Sequence, residues 1–359
     1  MIDADVHCAP ASYRALYPYL SEYWRHYIEE AGVRLTAVEH AYPRGAPTSA
    51  SPAAREQRGG PVPASYEALR EAVLEPRSQR AAPLGAGRPS TPRHVVLNCL
   101  TGFETHRNPY FTAAVASALN DWLREEFLAR DERLRASLVV SPISTDDAVA
   151  EIERVGDDRR FVQVLLPARA DLPWGNKNNH RIFAAAREHR LQVAVHAWGR
   201  AGKAPTPSGF TTTYLEDYIA NQPIAQAQVL SLVAEGVFDR FPELRVVLVE
   251  CGFAWLPPLL WRFDKDWKGV WREVPWLKRL PSEYVIEHLR FTTAPAHLPD
   301  DADAIAQLLE MLPAGKLLTY ASDYPHDHGD GLGALLEQLG EEDRKAVLEG
   351  NAAALYGLG

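Results

Sequence analysis

The sequence predicts an α/β chain folded as a (β/α)8 TIM barrel, with long insertions after strands one and five. Three observations carry this. Eight short β-rich apolar runs recur along the chain. Helical patterns lie between most of them. The length, 359 residues, fits one large barrel domain. Continuous apolar runs suit strands buried on both faces, as in a parallel sheet.

Strand one is read at Met1 to Val6, two at His94 to Leu100, three at Ala136 to Ser141 and four at Phe161 to Leu166. Five is Leu191 to His196, six Arg245 to Glu250, seven Leu289 to Thr293 and eight Leu317 to Ser322. Between them, Tyr110 to Ala129 spaces Val115, Leu119, Trp122 and Leu123 as one helical face. Thr145-Asp146-Asp147 caps a helix through Val155. Asn179 caps His180 to His189, and Pro223 opens a helix through Phe238. Asp301 to Leu312 and Glu341 to Tyr356 complete the set.

Two connections are longer than this alternation needs. After strand one, Tyr13 to Glu30 reads as helical, and residues 41–92 are rich in Pro, Ala, Gly and Arg, which favours extended loop. The second insertion, 199–222, contains Lys203-Ala204-Pro205-Thr206-Pro207-Ser208-Gly209. Both leave strand ends, so both are expected on the active-site face as lids or substrate walls. Trp255, Trp261, Trp267, Trp271 and Trp276, with Arg262, Lys265, Lys268 and Arg272 among them, have the look of a single-strand nucleic-acid platform. The acidic chain favours packing onto the barrel, or a homodimer interface, instead.

Hydrophobic residues make up 46% and charged residues 24%, a globular balance, and the formal net charge is −9. That charge argues against nucleic acid or an anionic membrane as partner. No apolar stretch reaches the roughly 18 residues of a membrane span; Val246 to Trp261 is broken by Glu250, Pro257 and Pro258. Three cysteines, Cys8, Cys99 and Cys251, are too few for a disulfide framework. The start of the chain lacks a basic segment followed by a long apolar core. The expectation is a cytoplasmic protein with a small-molecule substrate.

The polar residues that end the strands suggest chemistry. Strand one carries Asp5 and His7, whose spacing of two turns both side chains to one side. Strand five ends in His196 and strand six in Glu250, and strand eight runs into Asp323. Carboxylates and imidazoles together suit a divalent transition ion, and barrel chemistry sits at the C-terminal strand ends. His326 and His328 follow on the last loop. His106 and Arg107 follow strand two, where Arg107 suits a substrate carboxylate, and Trp198 follows His196. Alternation turns Cys8 and Cys251 away from the ion, as buried thiols.

The pattern resembles the amidohydrolase superfamily, in the amidohydrolase-2 branch that includes aminocarboxymuconate-semialdehyde decarboxylase and γ-resorcylate decarboxylase. Its marks are Ile2-Asp3-Ala4-Asp5-Val6-His7, Val195-His196, Ser322-Asp323-Tyr324-Pro325-His326, and the ending Gly350-Asn351-Ala352-Ala353-Ala354-Leu355-Tyr356. The chain departs from that pattern in three places. Asp5 stands where His-x-His usually begins. No lysine ends strand four, which makes a carbamylated-lysine bridge and a second metal unexpected. Strand six presents Glu250-Cys251-Gly252 where a histidine is usual.

The resemblance implies one divalent ion held by Asp5, His7, His196 and Asp323, with zinc the first choice and manganese or iron the alternatives. Such an ion lowers the pKa of bound water from about 16 toward about 7. The expected activity is hydrolysis of a small amide, lactone or related C–N or C–O bond. Asp323 is then the proton carrier, with Glu250 and His326 assisting. His106, Arg107, Trp198 and His328 are the substrate-binding candidates. The alternatives are a metal-dependent non-oxidative decarboxylase of an aromatic or enol acid and, from a different class, a barrel that binds a ligand without turnover.

Overall fold

The structure, a computed structural model, describes residues 1–34, 62–75, 91–103, 106–199, 204–206, 208–326, 328 and 331–359. Most of the insertion read at 41–92 lies outside the described residues, as do Asp327 and residues 200–203 and 207.

Eight parallel strands follow one another in chain order: β1 (Ile2–Cys8), β2 (His94–Cys99), β3 (Leu134–Val139), β4 (Phe161–Arg169), β5 (Gln192–Gly199), β6 (Val246–Val249), β7 (Leu289–Thr292) and β8 (Leu318–Thr319). The two edges meet. Val6 and Tyr324 form a parallel bridge. Ala4 N–H donates to Tyr320 O at 2.9 Å, Asp323 N–H to Asp5 O at 3.1 Å, and His7 N–H to Tyr324 O at 2.8 Å. The expected (β/α)8 barrel is therefore present, and its closing seam brings the two ends of the chain together.

Alternation along the strands builds two cores. Val95, Leu97, Val164, Leu166, Val193, Val195, Val246 and Leu248 pack with helix residues such as Val115, Leu119, Ile152, Phe183 and Val229. Each such burial contributes about 1.5–3 kcal/mol. Leu165, Ala194, Val247 and Val249 form a separate cluster with Leu355, against which Tyr356 packs. Among the buried polar residues, β1 to β4 supply Asp5, Asn98, Ser137 and Gln163.

Several boundaries differ from those read in the sequence. β6 stops at Val249, because Glu250 (φ 55°) lies in the left-handed region, which breaks a strand; β8 ends at Thr319, and Asp323 further on is also left-handed (φ 53°). Lys316 and Leu317 belong to a short helix, Ala314–Leu317. Ser144, not Thr145, caps Thr145–Val155, accepting from Asp147 N–H at 3.3 Å. The side chain of Asn179 makes no capping bond to His180–Glu188. The helix around Pro223 spans Asn221–Ala234 and ends before Gly236 (φ 71°), after which Val237–Arg240 turns separately.

One stretch of the first insertion was misread as loop. Tyr66–Leu69 and Arg70–Leu74 are helical, with Ser65 accepting from Ala68 N–H at 3.3 Å. Leu69, Ala72, Val73 and Leu74 join the main core. Their spacing of three and four is a helical face hidden inside a Pro- and Ala-rich composition. Ala9 N–H donates to Pro63 O at 3.2 Å, which ties this helix to the exit of β1.

The tryptophans divide. Trp255 is buried and donates to Cys251 O at 2.9 Å, Trp267 packs on the core, and Trp276 donates to Ala234 O at 2.8 Å. Trp261 and Trp271 face outward. No helix among the described residues is long and apolar enough to cross a membrane.

Candidate metal centre

The site begins with β1. Asp5 and His7 face the same side, while Val6 and Cys8 turn into the outer core. The β8–β1 seam then fixes where Asp323 stands. His7 Nε2 lies 2.9 Å from Asp323 Oδ1, 2.9 Å from Glu250 Oε1 and 3.5 Å from Asp5 Oδ1. His196 Nε2 lies 3.4 Å from Glu250 Oε1 and 3.9 Å from Asp5 Oδ2. Asp5, His7, His196 and Glu250 each offer one ligand atom, all within 4.8 Å of one another, and so do His7, Glu250, Asp323 and His326. All of these residues are buried except Glu250, which keeps some exposure.

The last loop completes the cage. His326 Nδ1 lies 2.9 Å from Asp323 Oδ1, and His328 Nε2 is hydrogen-bonded to Asp323 Oδ2. The rings of His7 and His326 meet edge-on, with centroids 4.7 Å apart. Trp198 meets His196 in the same way at 5.4 Å.

The electrostatics follow from burial and neighbours. Burial holds the Asp5 carboxyl well above its usual range; His7 opposes this, and the carboxylates of Asp323 and Glu250 add to it. Burial also works against a charged His7, but Asp5, Asp323 and Glu250 outweigh it and raise its pKa well above normal. Burial lowers His196 to about 4, with Glu250 opposing in part. At Asp323, burial is overcome by His326, His328 and His7, which hold the carboxyl well below its usual range.

This donor set fits one divalent cation. Three carboxylates converge, and among the described residues no lysine or arginine pairs with any of them. Asp5 Oδ2 and both ring nitrogens of His196 are buried without a hydrogen-bond partner, a costly state unless something else is bound there. Asp5 Oδ1 already accepts from Asn98 Nδ2–H at 2.7 Å, which leaves Oδ2 as its unpartnered oxygen.

The other candidates separate. His106 is drawn into an aromatic wall: its ring lies 4.5 Å from that of Phe111, Nε2 lies 3.3 Å from Tyr27 Oη, and Nδ1 accepts from Asn108 N–H. Arg107 is exposed. Cys8 is buried, and burial pushes the Cys251 thiol up, so both are inert.

Two neighbours escaped the sequence reading. The signal for Asn98 is a polar residue set inside the apolar run of β2. Tyr218, on helix Tyr214–Ile219 of the second insertion, gave no such signal. Its phenol pKa is raised by burial and then by the carboxylates of Glu250 and Asp323. Its ring meets that of His297 at 5.9 Å.

Comparison with known proteins gives the family and agrees on the fold. The sequence profile described as amidohydrolase matches residues 2–358. The γ-resorcylate decarboxylase of Rhodococcus jostii (strain RHA1) is 27% identical over 268 residues, 68% of this chain and 77% of that protein. A solved amidohydrolase from Mycobacterium avium subsp. paratuberculosis superposes with a TM-score of 0.70 at 18% identity, covering 100% of this chain and 98% of the other. A dihydroxybenzoic acid decarboxylase from Polaromonas sp. JS666, solved with bound manganese and the inhibitor 2-nitroresorcinol, gives a TM-score of 0.62 at 18% identity, covering 99% and 96%. The profile runs from β1 to the end of the last helix, and this chain accordingly belongs to the amidohydrolase family, in its amidohydrolase-2 branch.

Proposed function

We propose that this enzyme removes carbon dioxide, without oxidation, from a small aromatic or enol carboxylic acid, using one divalent ion. Asp5, His7, His196 and Asp323 are the proposed ligands, with Glu250 beside them. The observation that carries the activity is the 27% identity to a curated γ-resorcylate decarboxylase over 268 residues. This puts decarboxylation ahead of the hydrolysis that residue types alone favoured. Manganese likewise moves ahead of zinc, because the Polaromonas neighbour was solved with manganese, and a set of two carboxylates and two imidazoles accepts it.

A bound ion supplies a positive charge that gathers the substrate's oxygens and draws off the negative charge that develops as the C–C bond breaks. The bond between ring carbon and carboxyl carbon breaks, carbon dioxide leaves, and one proton is placed on the vacated carbon. Asp323 and His326 are the proposed proton-carrying pair, with Nδ1 and Oδ1 2.9 Å apart. Glu250 is the partly exposed carboxylate of the cage, which suits it to accept a proton from the substrate's hydroxyl. Trp198 and His328 touch members of the cage and Tyr218 feels the charges of Glu250 and Asp323, so these three are the proposed substrate contacts, with exposed Arg107 proposed for a distal carboxylate. His106 supports the wall through Tyr27 and Phe111.

A second reading, hydrolysis, is favoured by one observation: strand six ends in a carboxylate, Glu250, where the resemblance leads one to expect an imidazole. One experiment separates the two. Full-length protein loaded with manganese is incubated in heavy water with 2,6-dihydroxybenzoate and related hydroxy acids. Carbon dioxide release with one deuterium at the vacated carbon is expected. Turnover of an amide or lactone panel, with no carbon dioxide from any acid, would transfer the assignment to hydrolysis.

A further inference from the structure

Asp5 ends a chain of hydrogen bonds that begins at the opposite end of the sequence. Tyr356 Oη–H donates to Gln163 Oε1 at 2.8 Å. Gln163 Nε2–H donates to Ser137 Oγ at 2.9 Å, Ser137 Oγ–H to Asn98 Oδ1 at 2.5 Å, and Asn98 Nδ2–H to Asp5 Oδ1 at 2.7 Å. Four adjacent strands each contribute one residue. Asn98, Ser137 and Gln163 are fully buried and have no other role in the proposed chemistry.

The direction of this chain is fixed at one end. As an ion ligand Asp5 is ionised, and an ionised carboxylate only accepts, so Asn98 turns its N–H toward Asp5 and its oxygen toward Ser137. The Ser137 hydroxyl then donates to Asn98 and accepts from Gln163, and the Gln163 oxygen is left to accept from Tyr356. Removing the phenol hydroxyl strands a buried amide oxygen, and the Gln163 amide is then free to rotate and pass the disorder along.

We infer that Tyr356 is a positioning residue for the metal centre. Through Gln163, Ser137 and Asn98 it fixes the rotation of Asp5, so that Oδ1 is occupied and Oδ2 faces the ion. Tyr356 closes the final helix, Asn351–Tyr356, and its hydroxyl, rather than the packing of that helix, is the outer end of the relay. The inference rests on Asp5 being a ligand.

The test measures binding of Mn²⁺ alone to full-length metal-free protein, by electron paramagnetic resonance of the free ion. Outer partners of metal ligands typically contribute about 10- to 100-fold in affinity, and Tyr356→Phe is expected at the lower limit, about tenfold weaker. Ser137→Ala, which interrupts the relay with minimal change of volume, is expected to match it and covers the case in which Tyr356→Phe does not fold. Leu355→Ala loosens the same helix without touching the relay; its Tm should fall while its affinity stays within about twofold of wild type. Wild-type affinity in both Tyr356→Phe and Ser137→Ala would overturn the inference alone. An equal loss in Leu355→Ala would overturn it too, assigning the effect to helix packing. A wild-type protein that binds no Mn²⁺ would overturn both the inference and the ligand assignment beneath it.

Discussion

His7 Nε2 lies 2.9 Å from Asp323 Oδ1. One residue is on the first strand and the other follows the last, so the barrel seam and the proposed metal centre are one structure. The same short segments that close the sheet, Ala4 to Tyr320 and His7 to Tyr324, hold the donor atoms in register. Function and closure are therefore coupled: a change that opens the seam separates His7 from Asp323.

His196→Ala is predicted to lose the ion while keeping the fold. The native ring nitrogens make no hydrogen bond, so removing them leaves no protein partner stranded; the cost is the lost packing against Trp198. Ion content by mass spectrometry should fall at least about tenfold, with far-ultraviolet circular dichroism unchanged. Full ion content in this variant would remove His196 from the ligand set.

Asp323→Asn is predicted to separate binding from turnover. The amide keeps an oxygen for the site but cannot carry a proton, and it loses the charge that holds His326 and His328. Ion content should survive in part, while kcat falls by about 100-fold or more. Glu250→Gln is its companion: a loss of similar size would make Glu250 part of the reaction, whereas near-normal kinetics would leave it a structural acceptor for His7.

Much of this was legible in the sequence, and the reasons are physical. Strands buried on both faces must be apolar throughout, so β1 to β8 stood out as runs, and their polar ends stood out against them. Spacing of two brought Asp5 and His7 to one side without any knowledge of the fold. The part played by Asn98, Ser137 and Gln163 was harder to read. Each is an isolated polar residue among apolar neighbours in its strand, and an isolated residue has no period. Their meaning lies in β1 to β4 standing side by side, which no single run contains. Tyr218 was out of reach for a different reason: its position depends on how the second insertion folds back, and loop composition does not encode that path.

Ion binding is predicted to release protons at neutral pH. In the metal-free protein the raised pKa of His7 keeps its proton in place near pH 7. An ion that takes Nε2 must expel that proton. His196, lowered to about 4, is already neutral and releases nothing. His7 and Asp5 titrate as a pair and both are raised, so a net release of protons is expected from the two together, and affinity should rise with pH through the neutral range. Calorimetry in buffers of different ionisation enthalpy reads the number directly. A binding heat independent of buffer would contradict a protonated His7.

Arg169 clips helix Tyr214–Ile219 of the second insertion to the end of β4, and cutting that clip should expose the helix. Arg169, at the end of β4, pairs with Asp217 through Nη1 to Oδ1 at 2.8 Å and Nη2 to Oδ2 at 3.1 Å, and Nη2 also reaches Asn221 Oδ1 at 3.1 Å. Asp217 sits next to Tyr218 on a helix whose capping box, Thr213 with Glu216, is exposed. A two-pronged, partly buried pair of this kind contributes about 1–3 kcal/mol. That exceeds the few tenths contributed by an exposed ion pair on a helix. Arg169→Ala should therefore release helix Tyr214–Ile219 before the barrel itself is disturbed. Hydrogen exchange of amides 214–219 should quicken by about 5- to 100-fold, while amides of β4 and β5 stay protected. Because Tyr218 rides on that helix, KM for whatever acid is turned over should rise more than kcat falls. Unchanged exchange in 214–219 would mean that the capping box and the following helix, Asn221–Ala234, hold the segment without the clip.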